Sequence, residues 1–126
     1  MSAWTQDELR RIDEAEELEI APQRRNGELR RGTPISVVHA GDAVYVRAAY
    51  GSGSGWYGVA RKSRKARIRV GSLERDVTIE DADEAVLDEV DAGYRRKYGR
   101  YASIVDSINN AEHGAMTLRL VPPPSA

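Results

Sequence analysis

The sequence predicts a mainly β fold: an antiparallel barrel, closed or partly closed, with helices on either side of the strand region. Three observations lead there. From Leu18 to about residue 80 the apolar residues recur with period two. Arg25-Asn26-Gly27, Gly41-Asp42 and Gly71-Ser72 cut that region into short, even segments with turn chemistry suited to hairpins. The residues before and after it return to a helical period. So many short strands favour closure, because closure removes exposed edges.

The first helix, within residues 1–17, is announced by Trp4-Thr5-Gln6-Asp7-Glu8-Leu9. Thr5 caps, Glu8 reaches back, and Trp4 packs on Leu9 as a hydrophobic staple. Leu9, Ile12 and Ala15 give a thin apolar stripe. The charges of the opposite face, Asp13 and Glu17 included, read as a solvated surface. Strands occupy residues 18–80. Leu18–Pro22 and Glu28–Thr33 flank Arg25-Asn26-Gly27, Ile35–Ala40 and Ala43–Tyr50 flank Gly41-Asp42, and Ala66–Val70 and Leu73–Glu80 flank Gly71-Ser72. Residues 81–112 predict two helices. Val86, Leu87, Val90, Tyr94 and Tyr98 share a face of the first, with Asp81 and Glu84 as its capping pair and Gly99 as its breaker. Tyr101, Ile104, Val105, Ile108 and Ala111 mark the second. A closing strand within residues 115–121 is stopped by Pro122-Pro123-Pro124, which cannot donate ladder hydrogen bonds.

The 126 residues fit one domain with a real core, so residues 1–126 are expected to fold together. Zero cysteines exclude disulfides, thiolate catalysis and cysteine-ligated metal sites. His39 and His113 are the only histidines and have no third ligand at a telling spacing, so no metal is expected. No apolar run is long enough to span a bilayer and no secretory pattern opens the chain, which predicts a cytoplasmic protein without membrane contact. A formal net charge of −1 argues against a nucleic-acid partner. The basic run Arg61–Arg69 reads as a solvated helix end entering an edge strand, with phosphate binding as its functional alternative.

The most informative stretch is Val44–Tyr57, where an alternating strand runs into Gly51-Ser52-Gly53-Ser54-Gly55 and then Trp56-Tyr57. Alternate glycines let backbone amides approach a ligand, and the paired aromatics offer a surface for stacking a ring. The competing reading is a hairpin tip followed by two core aromatics. Ser52 and Ser54 lack the strand-to-helix context of a hydrolase nucleophile. Tyr45, Arg47, Tyr50, Tyr57 and Tyr94 are the side chains suited to proton transfer or anion stabilisation, with Tyr50 and Tyr57 as the catalytic candidates.

The order of elements and several short signatures resemble the flavin-binding split β-barrel superfamily (flavin-reductase or FMN-binding-like), near its deazaflavin-dependent nitroreductase group. The matching pieces are Leu29–Ile35, Gly41–Val46, the glycine loop with Trp56-Tyr57, Tyr94–Gly99 and Thr117–Pro122. An uncharacterised bacterial family within that group is similar in its opening Trp4-Thr5, Glu19–Pro22 and Arg75-Asp76-Val77. The resemblance implies a split barrel of about six to seven antiparallel strands with an N-terminal helix and two helices in the C-terminal half. It implies FMN or deazaflavin as cofactor, a homodimer, and nitroreductase-like oxidoreductase activity on a small molecule. Arg30, Arg31 or Lys62 would then hold the cofactor phosphate, Ala49, Tyr50 and Gly51 would line the ring, Trp56 would abut it, and Arg47 and Tyr57 would complete the cofactor site. The deazaflavin group places an asparagine two positions after its Trp-Tyr pair and a proline nearby. Here Val59 stands instead, and no proline follows before Pro122. A non-redox small-ligand-binding or interaction protein on a split barrel that has lost its cofactor is the alternative.

Overall fold

The computed structural model describes residues 4–47, 55–99 and 116–122. Helix α1 (Gln6–Glu14) starts where the capping pattern places it. Glu8 N–H donates to Thr5 Oγ1 (3.1 Å) and Thr5 N–H to Glu8 Oε1 (2.8 Å), satisfying backbone donors that a helix start otherwise leaves open. Leu9 and Ile12 are buried, and the Trp4 indole N–H donates to Leu120 O at 3.1 Å, tying the start of the described chain to its last strand.

Seven strands follow: β1 (Leu18–Pro22), β2 (Thr33–Ile35), β3 (Val38–Ala40), β4 (Ala43–Arg47), β5 (Lys65–Val70), β6 (Leu73–Asp81) and β7 (Thr117–Val121). They form one antiparallel sheet in the order β2-β1-β5-β6-β7-β4-β3. The edge strands β2 and β3 are consecutive in sequence, joined only by Ser36 and Val37. So short a link holds its ends within about 11 Å of each other, because consecutive Cα atoms lie about 3.8 Å apart. The sheet therefore rolls until its two edges nearly meet, which makes it a half-barrel. Its inner face is filled by Leu18, Ile20, Val44, Val46, Ile68, Ile79, Leu118 and Leu120, each at most 2% exposed. Burial of one such side chain stabilises by about 1.5–3 kcal/mol.

Helix α2 (Gly55–Ser63) joins β4 to β5 and packs Trp56, Tyr57 and Ala60 into that core. Helix α3 (Leu87–Tyr98) lies on the outer side of β3 and β4, where Val90, Tyr94 and Tyr98 cover Val38 and Tyr45. Both faces of β4 are thus buried.

Several sequence expectations are corrected. The predicted strand Ile35–Ala40 is divided between opposite sheet edges, because Val37 leaves the ladder. Its N–H donates to Tyr98 Oη (3.1 Å) and its carbonyl accepts from Lys97 Nζ (2.7 Å). The partner of β1 is Thr33–Ile35 and not Glu28–Thr33. A tight turn with Gly27 at φ +90° and Asn26 Oδ1 accepting from Glu28 N–H leaves only a single bridge, Gln23 with Leu29, before the chain bulges and pairs again. Pro34 is tolerated because β2 is an edge. The basic run enters β5, which is flanked by β1 and β6 and is no edge strand. Asp83, not Asp81, caps the turn at Glu84–Val86 that precedes α3, while Asp81 ends β6 and pairs with Arg64. The expected helix Tyr101–Ala111 and the strand end Ala48–Tyr50 lie outside the described residues. No helix among the described residues is long and apolar enough to cross a membrane.

Candidate functional site

The β1–β2 connection places Arg30 against the start of α2. Arg30 N–H donates to Pro22 O (2.7 Å), which fixes its backbone, and Nη1 donates to Thr33 Oγ1 (3.0 Å). A Cβ on Gly55 would lie 2.5 Å from Arg30 Nη2, so the glycine lets the guanidinium approach the first position of the helix, and any larger residue would displace the Arg30 tip. The first turn of α2 holds no acidic residue. A guanidinium and the positive end of a helix dipole form a corner that favours an anion. Arg31 is exposed near that corner in sequence and forms no ion pair among the described residues. Lys62 is exposed on the last turn of α2, about 10 Å along the axis from Gly55 at 1.5 Å per residue, so it stands at the other end of the helix from the Arg30 corner.

The remaining predicted site residues lie elsewhere. Arg47, 1% exposed, is built into the protein: Nε donates to Thr117 Oγ1 (2.7 Å), Nη1 to Asp91 Oδ1 (2.5 Å) and Nη2 to Leu87 O (3.5 Å). Its guanidinium also lies 5.4 Å from the centre of the Tyr94 ring. Arg47 thus pins β4 to β7 and α3. Trp56 and Tyr57, 4% and 5% exposed, meet edge to face at 5.9 Å inside the core and offer no open platform. Ala49, Tyr50 and Gly51 fall outside the described residues, as do Ser52 and Ser54. Tyr45 packs in the outer cluster with Tyr94. The buried hydroxyls of Tyr94 and Ser36 have no hydrogen-bond partner among the described residues. Burial pushes the Tyr94 hydroxyl well above the ordinary tyrosine range, with the nearby Ser36 hydroxyl pulling against it.

Sequence reasoning missed Lys97. Its ammonium donates to Ile12 O (2.8 Å) and Val37 O (2.7 Å), closing α1 and the β2–β3 link onto α3. Burial lowers its pKa to about 8. Its neighbour Tyr98 donates to Glu16 O (2.5 Å) and accepts from Val37 N–H, and burial raises its pKa to about 12. The signal was present: Lys97 falls on the apolar stripe of α3, seven residues after Val90 and three after Tyr94. No cluster of three or more metal-ligating side chains occurs among the described residues.

A rolled antiparallel sheet with a helix packed into its interior is a split-barrel fold. The chain belongs to a bacterial family described as uncharacterized protein conserved in bacteria (DUF2255), matched over residues 8–120. No curated protein matches at the sequence level. Among solved structures, the heme storage protein HutZ from Vibrio cholerae is similar with a TM-score of 0.66 at 12% identity, over 95% of this chain and 91% of that one. An F420-H2-dependent reductase, FDR-A, is similar with a TM-score of 0.63 at 14% identity, over 84% of this chain and 93% of that one. A putative pyridoxamine 5'-phosphate oxidase from Listeria innocua gives 0.59 at 11% identity, over 94% and 90%. At such identities the likeness shows the fold and leaves the activity to the site.

Proposed function

We propose that this chain binds a flavin-type cofactor, FMN or a deazaflavin, through its phosphate and acts as an oxidoreductase on a small molecule. The carrying observation is the Arg30–Gly55 corner, where a guanidinium and a helix start without acidic residues face the same space. A phosphate placed there would accept from Arg30 and from the open amides of α2, which suits the geometry of both. The fold adds support, since its neighbours include an F420-H2-dependent reductase and a putative pyridoxamine 5'-phosphate oxidase.

When bound, such a cofactor supplies hydride transfer. The chain's own part is to hold the phosphate with Arg30, aided by Arg31, and to support the ring on the backbone of Ala49, Tyr50 and Gly51. Tyr50 is the proton donor in this scheme. Tyr57 and Trp56 act from within the core by fixing α2, and Arg47 acts by fixing the end of β4 from which that ring-lining segment departs. The working unit is a homodimer, as suggested by a fold neighbour described as a domain-swapped dimer (TM-score 0.63, 13% identity).

Titration of FMN and of a deazaflavin, followed by flavin fluorescence, tests the proposal. Micromolar binding of either is expected, weakened roughly tenfold or more in Arg30→Gln, because a hydrogen bond to a charged group contributes about 1.5–3 kcal/mol. Lys62→Gln should leave affinity nearly unchanged. Failure of both cofactors to bind, or equal binding by Arg30→Gln, overturns the assignment.

A further inference from the structure

Three arginines of the basic run that stands out in the sequence are paired with acids on the outer wall of the barrel. Arg64 pairs with Asp81 (3.1 Å), Arg67 with Asp76 (2.9 Å) and Glu74 (3.7 Å), and Arg69 with Glu19 (3.8 Å) and Glu74 (3.9 Å). Lys65, in the middle of that run, makes no ion pair among the described residues. Its neighbour across the β5–β6 ladder is Thr78, where the flanking cross-strand partners of the basic residues carry acids. The Lys65 ammonium is therefore left without an acidic partner in the β5–β6 ladder.

Lys65 borders a groove of about 320 Å³ beneath the β1–β2 turn, lined also by Gln23, Gly27, Leu29, Thr78 and the mutually paired Arg67 and Asp76. The turn stands over β5 and β6 because Gly27 adopts φ +90° and Gln23 Nε2 donates to Gly27 O at 3.2 Å. Leu29, on the groove wall, is 43% exposed and is the one large hydrophobic side chain among the described residues left open to solvent. A free cation, a hydroxyl and an open apolar side chain thus meet in one concavity. Its volume stands at the small end of ligand sites, which run from about 300 to 1,000 Å³.

We propose that this groove is a second ligand site, taking a small carboxylic acid with an apolar body. The carboxylate would sit at Lys65 and Thr78, and the apolar part would cover Leu29. A single lysine suits a monoanion, whereas the paired Arg67 is already engaged with two carboxylates and adds little net charge. The site is separate from the cofactor corner: Arg30, next in sequence to Leu29, is turned to Gly55 and does not line the groove.

Titration of the protein with octanoate, followed by amide NMR, provides the test. Saturable shifts are expected at Gly27, Leu29, Lys65 and Thr78, with Lys65→Gln and Leu29→Asn each weakening binding about fivefold and Lys65→Arg retaining it. Octanol should bind several-fold more weakly than octanoate. Both side chains being exposed, the variants should keep the wild-type thermal midpoint, so lost binding is not lost folding. Shifts that do not saturate, shifts centred away from the groove, or octanol binding as tightly as octanoate would each overturn the proposal. So would octanoate affinity that Lys65→Gln leaves intact. Flavin affinity is measured separately, and Lys65→Gln should leave it unchanged, so the two sites stand or fall independently.

Discussion

Replacing Arg47 with methionine separates a structural arginine from a cofactor ligand. The side chain is wholly buried, with charged and neutral acceptors at 2.5 Å (Asp91) and 2.7 Å (Thr117). Methionine fills much of the volume but satisfies neither. Removing one member of a buried ion pair costs about 3–5 kcal/mol, because the other charge is left without compensation. The Asp91 side chain is 32% exposed and can recover some hydration, which points to the lower end, about 3 kcal/mol. For a chain of this length that corresponds to a fall in melting temperature of roughly 10–15 °C. Urea unfolding followed by tryptophan fluorescence suits the measurement, since Trp4 and Trp56 are both buried and report on the core directly. Adding Asp91→Leu to Arg47→Met should restore about 1–2 kcal/mol by removing the stranded carboxylate. A loss below about 1 kcal/mol for Arg47→Met, joined to a large loss of flavin affinity, would refute the structural role and return Arg47 to the cofactor.

Alkaline pH reads the Lys97–Tyr98 clasp. Lys97 releases its proton near pH 8 when folded and near 10.5 when unfolded, so between these values the unfolded chain binds more protons and stability rises with pH. The full shift would give about 3 kcal/mol, and partial solvent access halves it to about 1–2 kcal/mol. Tyr98 acts oppositely: its folded pKa of about 12 exceeds the unfolded 10, so its contribution is lost as pH climbs through that interval. Urea midpoints should therefore peak near pH 10, and Lys97→Met should abolish the rise; a flat wild-type profile from pH 8 to 10 would show that burial does not depress the Lys97 pKa. Arg64 is the one non-glycine among the described residues with positive φ, at +61°, in the left-handed region at the end of α2. Arg64→Gly and Arg64→Ala both lose the Asp81 pair, so their difference isolates the backbone, and glycine should be the more stable by about 1 kcal/mol in thermal melts.

Local chemistry was legible and long-range chemistry was not. The Thr5–Glu8 capping box, the Gly41 and Gly71 turns and the β5–β6 hairpin all depend on residues a few positions apart, and each stands where the pattern puts it. The division of Ile35–Ala40 was hidden because its cause is Tyr98 and Lys97, some 60 residues away. Trp56 and Tyr57 follow a glycine-serine loop that looks like a ligand clasp, yet α2 turns them inward, and no local signal distinguishes the two. Arg47 alternates with apolar residues like any outward strand position, but α3 covers that face. The anion corner is half visible in the sequence: the family resemblance marks Arg30, whereas its approach to Gly55 arises only in the fold.

Strand β7 lies between β6 and β4, although it is the last described element in the chain. As the chain leaves the ribosome, the β1, β5 and β6 pairings and the β3–β4 hairpin can each form early, but they remain separate pieces until Thr117–Val121 is made. Until then β4 and β6 both carry an unpaired edge, the kind of surface on which nascent chains recruit chaperones or aggregate. A stalled or truncated product lacking this short segment would lose both ladders and the Leu120 carbonyl that anchors Trp4, and so would be a natural target for proteolytic quality control.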